Sequence, residues 1–438
     1  MKRRIITLVV LLFLFGVVSA EAQEKVLLNR DEVIRLVLTE NEEIAMLEED
    51  LNIAKARLEG ARANFFPNID LSTVYTRLGE TPEVPDFSGG GFSIEEGSKN
   101  SYSFNLGFQQ PLYTGGQIST GYEQAKVGVQ TAKLQMEERI EELKESALNQ
   151  YYGLLRAQKM VELMEQTSEQ IERYVQIAQT NKEVGIFTNT DVLQARVNLG
   201  QAKQGLLRAE NGFELAQAAL KNTLGLASKV EVELEEELDF ELVEIDKGEI
   251  TEYAFANRID LKLLDAQEEL LKLSLKRSKG SRRPTLSLAG DYSTRDDSLT
   301  FSDGEWNINL ALSYNIFDGG SKRSGIKEAQ SELDKALLRR DQIEKGIKLQ
   351  LKESLLNIDE AADRIELMDL SLKEARENLR QSELQYKEGL LSSFDILQAQ
   401  TVLKEVKTDY YQAIYDYNLA LINLDKVIGR PVNYKGVE

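Results

Sequence analysis

The sequence of 438 residues contains no cysteine and no histidine. Without cysteine the chain forms no structural disulfide and carries no cysteine-linked lipid anchor at its N-terminus. Without histidine, Ser-His and Cys-His nucleophilic catalysis are excluded, and so are the usual ligand sets for zinc and copper. We therefore expect no cofactor and no bound metal.

Proline is also scarce, with six residues in the whole chain. They are Pro67, Pro82, Pro85, Pro111, Pro284 and Pro431. Residues 112–283 and 285–430 are therefore free of the strongest helix breaker. Long helices are possible in both segments.

Basic residues are outnumbered by acidic ones, 53 against 73, which gives a formal net charge of −20. A surface of this sign repels phosphates and argues against nucleic acid as a partner.

The N-terminus holds the long apolar run of this chain. Basic residues at positions 2–4 precede an apolar run at 5–18, and Ala20-Glu21-Ala22 follows as a small-x-small cleavage site. This pattern predicts a signal peptide over residues 1–22 and export of the chain. Since no later stretch is long and apolar enough for a transmembrane helix, any membrane span after cleavage must be made of strands.

The chain is a tandem duplication. Residues 101–225 match residues 305–429 without a gap, so that Asn105 corresponds to Asn309 and Asp191 to Asp395. A repeat of this length is too long for a solenoid. It implies one large unit built twice.

Six helices are predicted, at 30–64, 117–183, 190–224, 250–279, 321–387 and 394–428. At 1.5 Å per residue, those at 117–183 and 321–387 would be about 100 Å long and the others roughly 50 Å. Two short helices placed end to end therefore equal one long helix. Each repeat is predicted to be a long antiparallel hairpin whose open end is completed by a third helix.

Apolar residues recur at three- and four-residue steps on both long helices. In the first copy they are Leu143, Ala147, Tyr151, Leu154, Ala157, Val161 and Met164, and in the second Ile347, Leu351, Leu355, Ile358, Ala361, Ile365 and Met368. An ordinary coiled coil or helix bundle shows the same seam. The stripe by itself therefore predicts helix packing and nothing more specific.

Four segments have the two-residue period of strands. The positions on the mainly apolar face are Ile69, Leu71, Thr73 and Tyr75; Tyr102, Phe104, Leu106, Phe108 and Leu112; Leu286, Leu288, Gly290 and Tyr292; and Trp306, Ile308, Leu310, Leu312, Tyr314 and Ile316, in a strand predicted to run to Phe317. Aromatic ends and a small, polar opposite face favour a membrane barrel over a soluble sandwich. Because four strands cannot close a barrel, the chain must oligomerise to span a membrane.

Several motifs occur in duplicate at matching spacings. They are Pro67 and Pro284 before the first strand of each half, Tyr113-Thr114-Gly115-Gly116 and Phe317-Asp318-Gly319-Gly320 where a strand leads into a long helix, Val184-Gly185-Ile186 and Gly389-Leu390-Leu391 at the hairpin tips, and Asp191-Val192-Leu193-Gln194-Ala195 and Asp395-Ile396-Leu397-Gln398-Ala399 after the tips. In this combination the chain resembles the outer-membrane efflux proteins, the TolC family, over nearly its whole mature length.

The resemblance implies a mainly α-helical chain with a small membrane β-sheet. The tandem-duplicated helical hairpins would form an α-barrel tunnel through the periplasm. The four strands of each chain would form one third of a trimeric 12-stranded outer-membrane β-barrel. The implied partners are two further copies of the chain, a periplasmic adaptor (membrane fusion) protein, an inner-membrane transporter and outer-membrane lipid.

The resemblance also implies site residues at the hairpin tips. Val184, Gly185, Ile186, Gly389, Leu390, Leu391 and Ser392 would meet the adaptor, and Asp395, Gln398 and Asp191 would lie at the periplasmic gate. Some relatives carry a second acid at the position of Gln398 and a latching arginine at that of Leu391. A single acidic ring would still favour cations.

Asp191 and Asp395 have an alternative interpretation as helix N-caps. Each follows a turn and opens a helix, where a carboxylate accepts from free N–H groups and benefits from the helix dipole. For Asp191 capping is the favoured interpretation, and for Asp395 capping and pore lining stand equal. Both roles can hold together.

The predicted domain division is a signal peptide at 1–22, a first repeat at 23–226, an acidic linker at 227–249 in the equatorial region, a second repeat at 250–430 and a tail at 431–438. In the linker, Glu231, Glu233, Glu235, Glu236 and Glu237 alternate with or follow apolar residues. We expect this charge run to be a solvated face of a belt around the tunnel.

The function predicted from the sequence is a non-enzymatic outer-membrane exit duct for efflux or type I secretion, with a long periplasmic extension. The alternative is an exported periplasmic coiled-coil protein with a structural or adaptor role, against which the aromatic strands argue. A periplasmic carboxylate enzyme would need two acids converging in a cleft. The repetitive helices offer no obvious pair.

Overall fold

The structure is a computed structural model that describes residues 25–80, 83–85, 93–95, 98–243, 245, 247–297 and 304–429. The predicted signal peptide and the tail at 431–438 lie outside these residues. The chain forms two compact units. The helical unit takes the described residues of Met1–Met46, Glu138–Arg258 and Ile347–Glu438, and the sheet unit takes those of Leu47–Glu137 and Ile259–Gly346. Each unit draws on both sequence repeats.

Eight helices occur in the described part of the chain. They are α1 (Arg30–Thr39), α2 (Glu42–Ala63), α3 (Gln117–Glu183), α4 (Asn189–Thr223), α5 (Lys247–Asn257), α6 (Ile259–Gly280), α7 (Ser321–Lys387) and α8 (Ser393–Ile428). The two 67-residue helices, α3 and α7, have the predicted bounds. Among the described residues, no helix combines the length and apolar character that crossing a membrane requires.

The prediction of one continuous helix at 30–64 and another at 250–279 is wrong, because the structure has two helices in each segment. After α1, the Asn41 side chain accepts from the Glu43 amide at 2.8 Å and starts α2. It also donates to the Thr223 carbonyl at the end of α4, at 2.8 Å. Asn41 therefore caps α2 and binds the end of α4, and these side-chain bonds interrupt the helix between α1 and α2.

Each interruption lies against the end of a hairpin helix. Gly225, with φ of +70°, comes shortly after α4 in the chain and packs against Glu40. The contact is so close that a Cβ on Gly225 would lie 2.4 Å from the Glu40 carbonyl oxygen. In the second repeat, Gly429, with φ of +75°, lies next to Arg258, where a Cβ would make an ordinary contact at 3.4 Å with Arg258 Cα. The Arg258 guanidinium donates to the Val427 carbonyl at 2.8 Å. The breaks are thus fixed by tertiary contacts.

The apolar stripes form the core of the helical unit. Leu143, Ala147, Tyr151, Leu154, Ile347, Leu351, Ile358, Ala361 and Ile365 are buried, whereas Ala157, Val161, Met164, Leu355 and Met368 are half-buried.

The acidic linker contains a strand that the sequence reading did not identify. Residues Glu231–Leu234 form β6, which pairs in parallel with β1, Lys25–Leu28. The alternation of glutamate with buried Val230 and Val232 is thus a strand period.

Glutamates of the linker are exposed but bind specific partners. Glu236 accepts from the hydroxyl of buried Tyr151 at 2.9 Å, and Glu237 binds Lys159 at 2.8 Å. Burial, together with the Glu236 carboxylate, raises the pKa of Tyr151. The linker is therefore tied to α3, and its charge run is more than a solvated face.

The sheet unit contains a four-stranded antiparallel sheet in the order β2-β5-β7-β8. The strands are β2 (Asn68–Arg77), β5 (Asn100–Tyr113), β7 (Thr285–Asp296) and β8 (Glu305–Ser313), and β3 (Glu83–Pro85) pairs with β4 (Ser93–Glu95) between β2 and β5. The prediction that the last strand reaches Phe317 is wrong. Ser313 pairs with Thr285, the first residue of β7, and beyond Ser313 no described strand continues the pairing.

Candidate functional site at the sheet and the hairpin tips

The sheet carries opposite chemistry on its two faces. On one face, cross-strand pairing aligns Leu71 with Leu106, Leu106 with Tyr292, and Tyr292 with Trp306. Most of these apolar side chains are exposed, and Leu310 on the edge strand β8 is 64% exposed. A soluble protein rarely leaves a continuous apolar surface of this kind uncovered.

The other face of the sheet is polar and internally hydrogen-bonded. The Asn309 side-chain amide donates to the side-chain oxygen Oδ1 of Asn307 at 2.5 Å, and the Asn307 side-chain amide donates to the Asp291 carboxylate at 2.6 Å. One face thus suits hydrocarbon and the other water, as the alternation in sequence predicted.

The two hairpin tips lie in contact within the helical unit. Gly185 follows α3 and Gly389 follows α7, with φ of +83° and +72°. A Cβ on Gly389 would lie 2.6 Å from Cγ2 of Ile186, so the isoleucine of the first tip packs on the glycine of the second. The sequence indicated both turns, but their contact is a tertiary result.

The predicted docking residues differ in exposure. Val184 is 66% exposed and Leu390 75%, and Ile186 and Ser392 are exposed as well. Leu391 instead packs against the buried cluster beneath the tips. Leu391, which stands where the resemblance places a latching arginine in some relatives, therefore contributes apolar packing.

A tyrosine cluster beneath the tips was not found by sequence reasoning. Tyr386 is fully buried, and its ring lies 5.9 Å from that of Tyr174 and 5.2 Å from that of Phe187. Its hydroxyl donates to the Tyr174 carbonyl at 3.3 Å and shares a hydrogen bond with the Ser393 hydroxyl at 3.0 Å. The signal in the sequence that could have indicated this cluster is the aromatic residue Tyr386, three positions before the tip glycine Gly389.

The cluster extends to an acid on α7. The Tyr174 hydroxyl donates to Glu383 at 2.7 Å, and Gln170 donates to the same carboxylate oxygen at 2.6 Å. Burial, followed by the hydrogen bond to Glu383, raises the pKa of Tyr174. These bonds join α3 of the first repeat to α7 of the second.

The N-cap interpretation of Asp191 and Asp395 needs correction. The N-caps are Thr188 and Ser392, and each aspartate occupies the third helical position of a capping box. The Asp191 carboxylate accepts from the Thr188 amide at 2.9 Å, and Asp395 accepts from the Ser392 amide at 3.2 Å. Since serine or threonine is a better cap when an acid follows three residues later, the pattern is a standard helix start.

The two aspartates differ in exposure despite the same local bonds. Asp395 is exposed, as is Gln398 three residues further along α8, whereas Asp191 is half-buried. Asp395 and Gln398 share one helix face. No group of acids suited to a metal ion occurs in the described part of the chain.

This architecture matches that of a known protein family. The family model for the outer membrane efflux protein matches residues 33–226 and 252–430. The chain belongs to the outer membrane efflux protein family. It is an outer-membrane protein, and its fold is that of the family's ducts.

Individual relatives are distant but cover most of the chain. Outer membrane protein TolC of Escherichia coli K12 is 22% identical over 427 residues, covering 92% of this chain and 82% of that protein. Alkaline protease secretion protein AprF of Pseudomonas aeruginosa is 23% identical over 378 residues, covering 83% of this chain and 76% of that protein.

The fold is also similar to a solved channel structure. The CmeC outer membrane channel of Campylobacter jejuni superposes with a TM-score of 0.77 at 16% identity, covering 96% of this chain and 92% of that one.

Proposed function

We propose that three copies of this chain form the exit duct of a tripartite efflux or type I secretion system. The observation that carries the proposal is the four-stranded sheet with one exposed apolar face, whose edge strands β2 and β8 pair with no other strand in the described part of the chain on their outer sides. Unpaired backbone groups are costly in a bilayer. Pairing β8 of one copy with β2 of the next would close a twelve-stranded barrel and satisfy both edges.

The apolar face of the sheet would then meet outer-membrane lipid and the polar face would line the pore. The hydrogen-bonded row of Asn309, Asn307 and Asp291 suits water-filled surroundings. The helical hairpins would continue the duct through the periplasm. In this arrangement the two repeats, at 23–226 and 250–430, each contribute one hairpin, and the linker at 227–249 lies at the equator.

The hairpin tips would dock onto a periplasmic adaptor that links the duct to an inner-membrane transporter. Val184, Ile186 and Leu390 are exposed apolar side chains at the turns, and they suit a partner that covers them. Gly185, Gly389 and Ser392 would shape the turns, and Leu391 would support them from below. Asp395, with Gln398 on the same helix face, would ring the periplasmic gate.

Two related classes of cargo are open to such a duct. Small molecules are carried in efflux, whereas the relative AprF is named for the secretion of a protease. A duct wall selects its cargo weakly, so the choice belongs to the attached transporter. An exported coiled-coil protein is the less favoured alternative, because it has no use for an exposed apolar sheet face.

The experiment is a deletion of the gene followed by measurement of cargo retention in the native cell. Loss of the duct should raise accumulation of a fluorescent dye or reduce secreted protein, and the wild-type chain should restore export. Leu390→Asp should give a stable outer-membrane protein that does not restore export. If deletion changes neither dye accumulation nor secretion, the proposal is wrong.

A further inference from the structure

The internal duplication gives a rule for finding contacts between copies of the chain. Residues 101–225 match residues 305–429 without a gap. Within one chain, helices α3 and α4 of the first repeat pack with α7 and α8 of the second in one buried cluster. In a ring of three chains the six repeats alternate, so each second repeat also meets the first repeat of the next chain. We expect the interface between copies to use residues that correspond to those of the interface within the chain.

The interface within the chain uses one face of α3. Arg156 donates to the side-chain oxygen of Gln412 on α8 at 2.5 Å. Two turns before the tip-proximal cluster, Gln170 donates to Glu383 on α7 at 2.6 Å. Leu163 lies seven residues from both Arg156 and Gln170, and therefore on the same helix face, and it is 3% exposed. The second repeat thus covers this face of α3.

The matching face of α7 is exposed. The residues that correspond to Arg156, Leu163 and Gln170 are Glu360, Leu367 and Glu374. Leu367 is 61% exposed, and both glutamates are exposed as well. In the part of the chain that the structure describes, neither glutamate has a hydrogen-bond or ion-pair partner. This face of α7 is therefore apolar at its centre and negative on both sides.

A complementary surface lies on the first repeat. Arg208 of α4 corresponds to Gln412, and Gln179 of α3 corresponds to Glu383. Arg208 is exposed, and Leu215, seven residues later on the same helix face, is 72% exposed. Among the described residues, Arg208 forms no hydrogen bond or ion pair. This surface is therefore apolar and positive where the α7 face is apolar and negative.

We propose that the exposed face of α7 in one copy binds α4 and α3 of the next copy, with Glu360 paired to Arg208 and Glu374 accepting from the Gln179 side-chain amide. The inference rests on the proposed function, in which three copies form a ring. The contact also covers Leu367, as the interface within the chain covers its counterpart on α3. Charge pairs of this kind determine register and partner choice more than affinity.

The charges favour one order of the repeats around the ring. If the first repeats of two copies met in this geometry, Arg156 would face Arg208. If two second repeats met, Glu374 would face Glu383. Like charges repel in both mixtures, whereas a second repeat against a first repeat brings opposite charges together. Alternation of the repeats therefore avoids both repulsions.

The absence of cysteine makes cross-linking between copies direct to interpret. Glu360→Cys and Arg208→Cys are combined in the full-length chain, and outer membranes are treated with a short bis-maleimide before denaturing electrophoresis. The expected product is a covalent trimer. The control combines Glu360→Cys with Val197→Cys, because Val197 is 57% exposed and lies on the same face of α4 about three turns away. The control pair should give several-fold less trimer.

Charge reversal tests the pairing itself. Glu360→Arg and Arg208→Glu each place like charges opposite one another and should lower the temperature at which the trimer dissociates in detergent. The double variant restores the pair in reverse and should recover most of this loss. Glu366→Arg changes an exposed acid on another face of α7 and should leave the dissociation temperature nearly unchanged.

Three outcomes overturn the inference. Equal cross-linking of the two cysteine pairs, or none in a protein that native mass measurement shows to be a trimer, places the interface in another register. A double reversal no more stable than the single variants shows that Glu360 and Arg208 do not pair. A wild-type protein that is not a trimer contradicts the proposed function instead, so the two failures are distinguishable.

Discussion

At the scale of single residues, the two hairpin tips are built alike but have different surroundings. Both helices after the turns start with a capping box, Thr188 with Asp191 and Ser392 with Asp395. Both turns use a glycine with positive φ. Yet only one glycine is in contact with the other tip, and only Asp395 is exposed among the two acids. Paired substitutions therefore separate local geometry from function.

The first prediction concerns the gate. Because both aspartates make the same capping bonds, Asp395→Asn and Asp191→Asn should each lower helix stability by about 1 kcal/mol or less. In planar-bilayer recordings, Asp395→Asn should also lower cation preference and divalent-cation block, since three carboxylates on one axis attract cations. The effect should weaken as salt rises.

Asp191→Asn is the control for this measurement, and its conductance should be nearly unchanged. An equal electrical effect of the two substitutions, or none from Asp395→Asn, would remove Asp395 from the gate and leave it with capping alone.

The second prediction concerns the tip glycines. Gly185→Ala and Gly389→Ala both place a side chain at positive φ, which should cost about 1–2 kcal/mol. At Gly389 the new Cβ also meets Ile186 Cγ2 at 2.6 Å, whereas nothing lies within 4 Å at Gly185. Gly389→Ala should therefore be the more destabilising in hydrogen exchange at the tips. Adding Ile186→Ala should bring it level with Gly185→Ala, and a lack of such rescue contradicts the contact.

At the scale of elements, the Tyr174–Glu383 hydrogen bond joins α3 to α7 and should make the tips sensitive to alkali. The pKa of Tyr174 is raised above its ordinary value of 10.0. A group with a raised folded-state pKa contributes stability that is complete below its unfolded pKa and is lost as pH rises toward the folded value.

Tyr174→Phe should therefore lower tip protection at pH 8 by about 1 kcal/mol, through loss of one hydrogen bond, and flatten the decline above pH 10. Hydrogen exchange of peptides from α3 and α7 measures both effects. The same slope above pH 10 in wild type and variant would show that another group controls it.

The sheet provides a prediction at the same scale. Leu310→Arg, or Leu106→Arg in the first copy, places a charge on the apolar face and should impair outer-membrane assembly, at about 2–4 kcal/mol near the bilayer midplane. Asn309→Arg, one residue away on the polar face, should assemble normally. The yield of heat-modifiable protein in the outer-membrane fraction is compared between Leu310→Arg and Asn309→Arg. Equal yields of the two variants would mean that the lipid-facing and pore-facing sides of the sheet are misassigned.

At the scale of the whole molecule, closure of the sheet requires other copies of the chain. We expect the exported protein to be a trimer in detergent and its monomer to be unstable, because the edges β2 and β8 each need a partner. Mass measurement in native conditions tests this expectation. A well-folded monomer, or any stable state other than three copies, would contradict the proposed assembly.

The sequence by itself determined the long helices, the facing of the strands and the turn glycines, because each depends on local periodicity or on the φ angle of one residue. Tertiary structure decided the rest. The breaks at Glu40–Asn41 and Arg258 depend on Gly225 and Gly429 arriving from far along the chain. The parallel pairing of β1 with β6 spans the first repeat, and the Tyr386 cluster joins two tips. Periodicity carries no information about which distant segments meet, so such contacts appear only when the chain is folded.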